Sequence, residues 1–252
     1  MLPILNRVAR LVSLRVVSAG TPTRDFRAFF RHLKARGFDF RTVIDVGVAF
    51  GSLGLYEDMP GAKFYLVEPV PACQPILEAL GRRLNAETFN VAAGAADGSM
   101  AFFVHPDVSG SSAYPQWEGS FFDGEPCTVP VRRLDGLIRA TLERPALLKI
   151  DTQGSELEVL AGAAGLLDQI DMVIVEASLH PFRKGAPEFH DIVLRMTQLG
   201  FVVYEAIAGH YRPIDNALAQ IDLVFIRPQS ALRKDKAFFS PAQAQRYLEE
   251  EA

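Results

Sequence analysis

The sequence predicts an α/β fold in which a mainly parallel sheet is covered by helices on both faces, a Rossmann-like three-layer sandwich. Two observations support this. Short β-branched runs alternate with amphipathic helical patterns along most of the 252 residues. In contrast, the last two apolar runs have no helical pattern between them. We therefore expect a mainly parallel seven-stranded sheet whose final two strands pair as an antiparallel edge hairpin, with a helical extension at the N-terminus.

The order of the elements follows from apolar periodicity and from glycine and proline breaks. Strands are predicted at 42–46, 63–68, 88–92, 99–104, 128–132, 146–150, 171–176, 201–206 and 221–226, of which 99–104 is an extra strand. Helices are predicted at 2–17, 24–36, 52–56, 71–84, 134–142, 155–164 and 187–199. Residues 105–125 show neither pattern, and so long a loop inside a compact domain is typical of a lid or a binding segment.

Helix ends have local causes. The helix at 24–36 places three phenylalanines and a leucine on one side and ends before Gly37, whose backbone freedom suits a helix C-terminus. The helix at 155–164 begins near Ser155, with Glu156 and Glu158 at the end where the helix dipole favours acids. The helix at 187–199 ends before Gly200, just as the helix at 24–36 ends before Gly37.

The turn after the first strand predicts the class of ligand. It reads Asp45-x-Gly47-x-x-x-Gly51, and Glu68 ends the next strand about twenty residues later. Gly47 lets the backbone turn sharply beside a ligand, and Glu68 can accept both ribose hydroxyls of an adenosine. A dinucleotide site has glycine where this chain has Asp45, because a carboxylate would repel a pyrophosphate. Asp45 can instead attract the sulfonium and ammonium of S-adenosylmethionine, which we predict as the cofactor.

Ligands of open α/β sheets lie beyond the carboxyl ends of the strands. The predicted cofactor residues are Asp45, Gly47, Gly51, Glu68, Ala92, Asp97 and Gln153. Ala92 is small enough to form a floor beneath an adenine ring. Asp97 can reach the adenine amino group, or it can simply form a turn with Gly98, and both interpretations stay open.

Asp151 and His180 are the candidate bases. Methyl transfer to an alcohol depends on positioning and on a base that takes the hydroxyl proton. Asp151 ends a buried strand beside the cofactor turn, and His180 follows the strand at 171–176. A capping role for Asp151 and a hydrogen-bonded loop role for His180 are the structural alternatives. Asp151, Glu176 and Asp222 are the carboxylates that would gather Mg²⁺, but their spacing is not diagnostic and we predict no metal site.

The loop at 105–125 is the predicted acceptor-binding segment. It combines small hydroxyls with aromatic faces, at Ser109, Ser111, Ser112, Tyr114, Trp117, Phe121 and Phe122. Aromatic faces stack on the apolar surfaces of sugar rings, and hydroxyls bond to the ring edges. We assign Ser111, Ser112 and Trp117 to the acceptor, together with Glu176 at a neighbouring strand end. The alternative is a structural loop whose aromatics fill a satellite core.

Composition limits the partners. The chain is 49% hydrophobic and 22% charged with a net charge of -4, which gives no reason to expect nucleic acid. Cys73 and Cys127 are far apart and outside any Cys-x-x-Cys motif, so we expect neither a disulfide framework nor a zinc site, and a cytoplasmic location.

The first 41 residues differ in charge from the rest. Nine basic and two acidic residues give them a net charge of +7, so the remainder carries -11. Arg7, Arg10 and Arg15 interrupt the apolar sequence of the helix predicted at 2–17, so we expect this helix to be neither a membrane span nor a secretory signal. Packing on its own domain, contact with an anionic membrane surface and contact with another subunit in a homo-oligomer all stay open for it.

Several motifs together resemble the FkbM family of S-adenosylmethionine-dependent methyltransferases. They are Asp45-Val-Gly47, Glu68-Pro69, Ser111-Ser112, Leu-Lys-Ile-Asp-Thr-Gln-Gly-Ser-Glu at 148–156, Glu-Val-Leu-Ala-Gly at 158–162, the strand end at Glu176 and Gln-Ile-Asp-Leu-Val-Phe at 220–225. The resemblance covers roughly residues 42–227. It implies a class I methyltransferase fold and O-methylation of sugars, polysaccharides or polyketide-derived metabolites. Val48-Ala49-Phe50 departs from the family's usual Ala-Asn-x and removes a polar side chain beside the cofactor.

We therefore predict an O-methyltransferase that acts on a hydroxylated small-molecule or glycan acceptor. Its parts are a basic N-terminal helical extension (1–41), a methyltransferase domain (42–228) and a C-terminal helical tail (229–252). Two alternatives come from other classes. One is a catalytically silent cofactor-binding partner of a glycan-modifying system, favoured by the unusual turn at 48–50. The other is a nicotinamide-dependent oxidoreductase, which Asp45 and Phe50 disfavour.

Overall fold

The computed structural model describes residues 24–117 and 124–250, so the helix expected at 2–17 lies outside the described residues. The strands within these ranges are β1 Thr42–Val46, β2 Lys63–Val67, β3 Glu87–Phe89, β4 Ala92–Ala93, β5 Gly98–Val104, β6 Glu125–Arg132, β7 Ala146–Ile150, β8 Met172–Ser178, β9 Val202–Tyr211 and β10 Leu218–Ile226. The α-helices are α1 Phe26–Ala35, α2 Leu53–Glu57, α3 Gln74–Leu84, α4 Leu134–Leu137, α5 Glu156–Gly162, α6 Phe189–Gln198 and α7 Pro241–Glu250.

Seven strands form the main sheet, in the order β3-β2-β1-β7-β8-β10-β9. Neighbours from β3 to β8 are parallel, whereas β10 runs antiparallel to both β8 and β9. This confirms the predicted mainly parallel sheet with an antiparallel edge hairpin. The carboxyl ends of β1, β2, β7 and β8 consequently meet at one edge of the sheet, where a ligand can lie.

The sheet is buried on both faces, which produces the three layers. All five residues of β1 are buried. Ile44 and Val46 belong to the core that contains Leu160 of α5, while Val43 belongs to the core that contains Phe29 of α1. Alternate residues of one strand thus pack into opposite cores, because successive side chains of a strand point to opposite faces. None of the helices in the described ranges is long and apolar enough to cross a membrane.

Helix α1 begins and packs for reasons visible in its sequence. Asp25 caps it, since the Asp25 carboxylate accepts a hydrogen bond of 2.7 Å from the backbone N–H of Ala28. Phe29, Phe30 and Leu33 are buried against the sheet. Full burial of side chains of this size stabilises the fold by roughly 2 kcal/mol each.

A second sheet, in the order β4-β6-β5, lies beside the main one. The sequence predicts one strand over 88–92, but the structure divides this segment between the two sheets. Residues 87–89 pair with β2, whereas Ala92 and Ala93 pair with Val131 and Arg132 of β6. The chain changes sheets next to Asn90, whose side-chain amide donates a hydrogen bond to the backbone carbonyl of Glu68.

Two further predicted elements differ in extent. The helix expected over 134–142 ends at Leu137, because Ile138 leaves the helical region with φ of -102° and ψ of 94°. Ile138 and Leu142 are nevertheless buried in the core, so the apolar periodicity reports packing rather than helix. The edge hairpin is longer than predicted, since register shifts in the pairing of β9 and β10 interrupt the period-two pattern on which the prediction rests.

Candidate active site

A cavity of about 460 Å³ lies at the carboxyl ends of the central strands. It is lined by residues 46–52, 67–69, 92, 93, 100, 102, 107–111, 149, 151–153, 155, 176, 210 and 220. We call it the cofactor cavity. Its volume falls in the range of pockets that hold small ligands and cofactors.

Gly47 forms the floor of the turn between β1 and α2. Its φ is +86°, and a Cβ at this position would lie only 1.7 Å from the backbone carbonyl oxygen of Asp151. Gly51 also has a positive φ, of +98°. Only glycine can satisfy both the conformation and the close approach at residue 47. Residue 47 therefore presents bare backbone to the cavity.

Glu68 is buried at the end of β2, with 4% of its surface exposed, and lines the cavity. One carboxylate oxygen accepts a hydrogen bond from the backbone N–H of Ala49 and the other from that of Val70, both at 2.8 Å. Burial raises the pKa of Glu68, and these two hydrogen bonds oppose that rise. Each oxygen retains accepting capacity, so the carboxylate can hold the turn and still accept ribose hydroxyls.

Asp45 lies behind the cavity wall. It is fully buried and accepts a hydrogen bond of 2.6 Å from the Tyr56 hydroxyl. The Lys149 ammonium is 3.5 Å from its other oxygen. Burial and the neighbouring Asp45 charge raise the pKa of Tyr56, so this hydroxyl remains a donor. Asp45 is not among the residues that line the cavity, and it supports the turn from behind instead of facing the cofactor as expected from the sequence.

Lys149 joins the two carboxylates at the ends of β1 and β7. Its ammonium lies 3.2 Å from Asp151 and 3.5 Å from Asp45. Burial lowers the pKa of Lys149, but the charges of Asp151, Asp45 and Asp222 outweigh it, and the net shift is upward. Lys149 was not predicted as a site residue, although the sequence places it near the end of a buried strand, where a charge requires a partner.

Two amides and a carboxyl group form the wall next to Asp151. The side-chain amides of Gln153 and Gln220 both donate to the same oxygen of Glu176, the second at 2.7 Å. Gln153 also donates to Asp151 at 3.2 Å. Burial, followed by the charges of Asp151 and Asp222, raises the pKa of Glu176 well above its usual range. Glu176 lines the cofactor cavity but is tied into this network.

Asp222 completes the cluster from the neighbouring strand, directly opposite Glu176 in the β8–β10 pairing. Burial raises the pKa of Asp222 to about 7, and Asp151 adds to the rise while Lys149 opposes it. Within the described ranges, no group of three or more His, Cys, Asp or Glu side chains is arranged to hold a metal ion.

Glu156 shapes the turn that carries Asp151 and Gln153. Its carboxylate accepts hydrogen bonds from the backbone N–H and the hydroxyl of Thr152 and from the backbone N–H of Gly154, at 2.9 to 3.2 Å. Burial raises the pKa of Glu156, and these hydrogen bonds oppose the rise. The sequence predicts only a favourable place on the helix dipole for this residue. Its burial could not be foreseen, because it depends on how the turn folds back.

A second cavity, of about 400 Å³, adjoins the first. It is lined by residues 105, 107, 110, 116, 153, 154, 178, 180–183, 186, 187, 210–213, 219 and 220. Its walls include the predicted base His180. Asp107, Gly110, Gln153, His210 and Gln220 line both cavities. His210 is the imidazole common to the two described cavities, and it was not predicted as a site residue.

The predicted acceptor residues are placed differently from one another. Ser111 lines the cofactor cavity, and its hydroxyl accepts a hydrogen bond from the backbone N–H of His105. Ser112 is fully buried; its hydroxyl donates to the Gln153 carbonyl at 2.6 Å and accepts from the Tyr114 N–H at 2.9 Å. Ser112 therefore anchors the loop and lines neither cavity.

Two other predicted residues line neither cavity. Trp117 is half exposed, and its indole N–H donates to the backbone carbonyl of Pro181, which belongs to the second cavity. Asp97 accepts a hydrogen bond of 2.9 Å from the backbone N–H of Arg133. This contact holds Asp97 against the segment that follows β6. Ala92, in contrast, is buried and lines the cofactor cavity.

Comparison with solved structures finds methyltransferases. Similar chains include a magnesium protoporphyrin IX methyltransferase from Synechocystis with bound S-adenosylmethionine (12% identity, 80% of this chain and 77% of that chain, TM-score 0.43). They also include an rRNA methylase from Streptococcus thermophilus (12% identity, 84% and 99%, TM-score 0.43) and a precorrin-6y C5,15-methyltransferase from Geobacter metallireducens (13% identity, 80% and 86%, TM-score 0.42). The likeness is too low to bear on the substrate. No curated protein matches the chain.

The model of the methyltransferase FkbM domain matches residues 45–203, which is more than half of the chain. This match supports neither a silent partner protein nor a nicotinamide-dependent oxidoreductase. The cofactor cavity also fits S-adenosylmethionine, because Gly47 places backbone without a side chain at its wall and the buried Glu68 carboxylate lines the wall. The chain belongs to the FkbM family and is an S-adenosylmethionine-dependent methyltransferase.

Proposed function

We propose that this methyltransferase methylates a hydroxyl oxygen of a sugar, polysaccharide or polyketide-like acceptor. The observation that carries the proposal is the second cavity, which shares five lining residues with the cofactor cavity. Phe182 and Tyr211 give it aromatic surface, while Ser178, His180 and Gln220 give it polar groups. Apolar faces combined with hydrogen-bonding groups suit a hydroxylated ring. We call it the acceptor cavity.

In this proposal, Gly47, Glu68 and Ala92 hold the cofactor. When bound, S-adenosylmethionine supplies a methyl group carried on a positively charged sulfur. The work of the protein is then to align the acceptor hydroxyl and to receive its proton. Asp151 is the favoured base, because it lines the cofactor cavity beside the shared wall. Its two oxygens accept from Lys149 and Gln153, which fix their direction.

His180 is the second candidate base, since it lines the acceptor cavity. The two candidates differ in what their variants should do. Asp151→Asn should lower kcat by roughly 10²-fold or more while cofactor affinity stays within a few-fold, if Asp151 takes the proton. His180→Gln should lower kcat by the same factor if the His180 imidazole takes the proton. A change of less than about threefold at saturating acceptor would remove the residue from the base role. Asp168→Asn, at a solvent-exposed carboxylate, is the matched control.

The site of methylation is tested by product analysis. Purified protein is supplied with S-adenosylmethionine and with matched acceptors that carry either a hydroxyl or an amine at the same carbon. We expect methyl ethers from the hydroxyl series only. Methylation of the amines with no ether product would contradict the proposal.

The proposal also includes an acceptor that is not a nucleic acid, which the net charge of -4 supports. It includes a cytoplasmic location as well, which the two widely separated cysteines support.

A further inference from the structure

Strands β1 and β7 place one lysine between two aspartates. Asp45 and Lys149 are direct neighbours in the parallel pairing of these strands. Asp151 continues the pairing, since its backbone N–H donates to the Val46 carbonyl at 2.9 Å. Residues two apart along a strand share a face, so the side chains of Lys149 and Asp151 lie on the same side of the sheet. The Lys149 ammonium lies 3.2 Å from Asp151 and 3.5 Å from Asp45, so two carboxylates share one positive charge.

Asp45 depends on that shared charge. Its carboxylate is fully buried, and Oδ2 accepts a hydrogen bond from the Tyr56 hydroxyl. Oδ1 has no hydrogen-bond partner among the described residues, and the Lys149 ammonium is the positive charge that it faces. A buried charge without a counter-charge is costly. Lys149 is therefore the counter-charge that Asp45 requires, and it does not serve Asp151 alone.

Asp151 lies among several other acidic groups. Glu176 on β8, Asp222 on β10 and Glu68 at the end of β2 each interact electrostatically with it. Among the described residues that line the cofactor cavity, Lys149 is the one lysine or arginine. Nearby carboxylates disfavour a further negative charge, whereas an ammonium favours one. The ease with which Asp151 takes a proton therefore depends on how much of the Lys149 charge acts on it.

We infer that Asp45 acts on the base and not on the cofactor: by attracting the Lys149 ammonium, it limits how strongly this charge holds Asp151 in the ionised form. Asp151 thereby stays able to take a proton, which a carboxylate that faces an undivided ammonium does poorly. Asp45 and Lys149 are positioning residues, because they act on the reaction through Asp151. This inference rests on the proposed function, in which Asp151 receives the proton of the acceptor hydroxyl.

The first test separates the two roles of Asp45 by cofactor affinity. S-adenosylmethionine and S-adenosylhomocysteine are titrated calorimetrically into the full-length wild type and into Asp45→Asn. We expect affinities within about threefold of the wild type, because Asp45 does not line the cofactor cavity. A loss of about tenfold or more for both compounds would assign Asp45 to the cofactor ammonium and overturn the inference. Glu68→Gln, at a carboxylate that does line the cavity, is the positive control.

The second test follows the Asp151 carboxyl group by carbon-13 NMR of aspartate-labelled protein, over the pH range in which each protein stays folded. The Asp151 signal is the one that is missing from Asp151→Asn. In Asp45→Asn, the pH at which this signal titrates should fall by about half a unit or more, because Lys149 then acts on one aspartate. Adding Lys149→Met to Asp45→Asn should raise that pH by about one unit or more, because the counter-charge of Asp151 is lost.

Tyr56→Phe is the matched control, because it removes the other partner of Asp45 without removing a charge. It should leave the Asp151 titration within about 0.3 pH unit of the wild type. If Asp45 only supported the turn, Asp45→Asn and Tyr56→Phe would lose stability alike and neither would move the titration, which would overturn the inference. An upward shift in Asp45→Asn would overturn it too, as would a wild-type Asp151 that stays ionised down to the acid limit of folding.

A failure of this inference can be distinguished from a failure of the proposed function. Neither test uses an acceptor, so both give a result whatever the acceptor is. If Asp151→Asn keeps its kcat while the two shifts in titration are found, Asp151 is not the base, and the coupling of Asp45 to Asp151 through Lys149 stands. If Asp151→Asn loses its kcat but no shift is found, the base role stands and the inference about Asp45 is wrong.

Discussion

Gly47 and Glu68 shape the cofactor turn by opposite means, one through a missing side chain and the other through a buried carboxylate. Gly47 brings the backbone against the end of β7, where no Cβ fits. Glu68 fixes the far side of the turn through the amides of Ala49 and Val70. Both features are local consequences of the sequence, and each can be tested with a single substitution.

Gly47→Ala should lower the free energy of unfolding by at least about 3 kcal/mol, because a Cβ would overlap the Asp151 backbone carbonyl and the residue needs a positive φ. Chemical denaturation measures the change. Gly61→Ala is the matched control, since a Cβ there meets nothing within 4 Å. The control should stay within about 0.5 kcal/mol of the wild type. Equal stability of the two variants would contradict the close approach at Gly47.

Glu68→Gln should weaken S-adenosylmethionine binding by about 2 kcal/mol, or roughly 30-fold, because a buried ribose loses charge-assisted hydrogen bonds. Calorimetric titration gives the affinity, and a thermal unfolding curve checks that the variant is folded. Glu78→Gln, on the exposed side of α3, serves as the control. Unchanged affinity in a folded Glu68 variant would remove this residue from the ribose site.

The position of a site residue can be predicted from the sequence more readily than the direction of its side chain. Gly47 and Glu68 lie where the glycine turn and the strand end predict them, because spacing along the chain determines both. Asp45 has the expected place on β1, but its carboxylate turns toward Tyr56 and Lys149. That direction depends on partners distant in sequence, and no local pattern encodes it. The contacts of Glu156 with Thr152 and Gly154 are close in sequence, but they depend on a turn conformation that residue spacing does not specify.

Strands β8 and β10 place two carboxyl groups opposite each other, and these groups make the stability of the strand pair depend on pH. Glu176 and Asp222 are cross-strand neighbours. Burial is the first cause of the raised pKa of each. A pKa that is higher in the folded state means that folding takes up a proton in the interval between the unfolded and folded values. Stability from such a group is present at low pH and is lost as pH rises through the folded pKa.

Asp222→Asn should therefore gain stability relative to wild type as pH rises from 5 to 8. With a folded pKa of about 7, the gain over this interval is about 2–3 kcal/mol. Urea denaturation of both proteins at pH 5 and pH 8 gives the difference. Asp168→Asn, at a solvent-exposed carboxylate, should show no such trend. A difference that is the same at both pH values would contradict a protonated Asp222 in the folded protein.

Elements were predictable where one periodicity dominates. The buried parallel strands β1, β2 and β7 have the predicted starting residues, since continuous apolar runs admit few other readings. The division of 88–92 between two sheets was not predictable, because it depends on β6, far along the chain. The extension of the β9–β10 hairpin was hidden by its register shifts. These are non-local effects, which propensity and periodicity do not contain.

One segment, residues 105–117, contributes lining residues to both cavities. Its first part lines the cofactor cavity at 107–111, whereas Ser112 is paired through backbone hydrogen bonds with Phe103 at 2.8 and 3.0 Å. The segment is also connected to the 180–184 loop, through Arg183 and through the Lys184 N–H, which donates to the Pro115 carbonyl. The segment is thus anchored on both sides of the stretch that lines the cofactor cavity.

Hydrogen exchange should reveal this division. The amides of 107–111 already donate hydrogen bonds within their own turn. We expect them to gain further protection when cofactor and acceptor are both present, because the two cavities meet there. The Ser112 amide should be protected in every state, and β1 amides should be the slowest of all. Mass spectrometry of the apo, cofactor-bound and doubly bound protein measures these rates. Protection of 107–111 in the apo protein equal to that of Ser112 would contradict a closing role for this segment.

The wall shared by the two cavities has an energetic consequence. Gln153, His210 and Gln220 line both cavities, so we expect the first ligand to restrict a wall that the second would otherwise have to immobilise. The second binding event then meets a smaller loss of conformational entropy. By thermodynamic reciprocity, the factor by which the cofactor raises acceptor affinity equals the factor by which the acceptor raises cofactor affinity. We therefore expect the two substrates to bind cooperatively, so that their complex with the enzyme forms at concentrations at which neither would saturate its cavity alone.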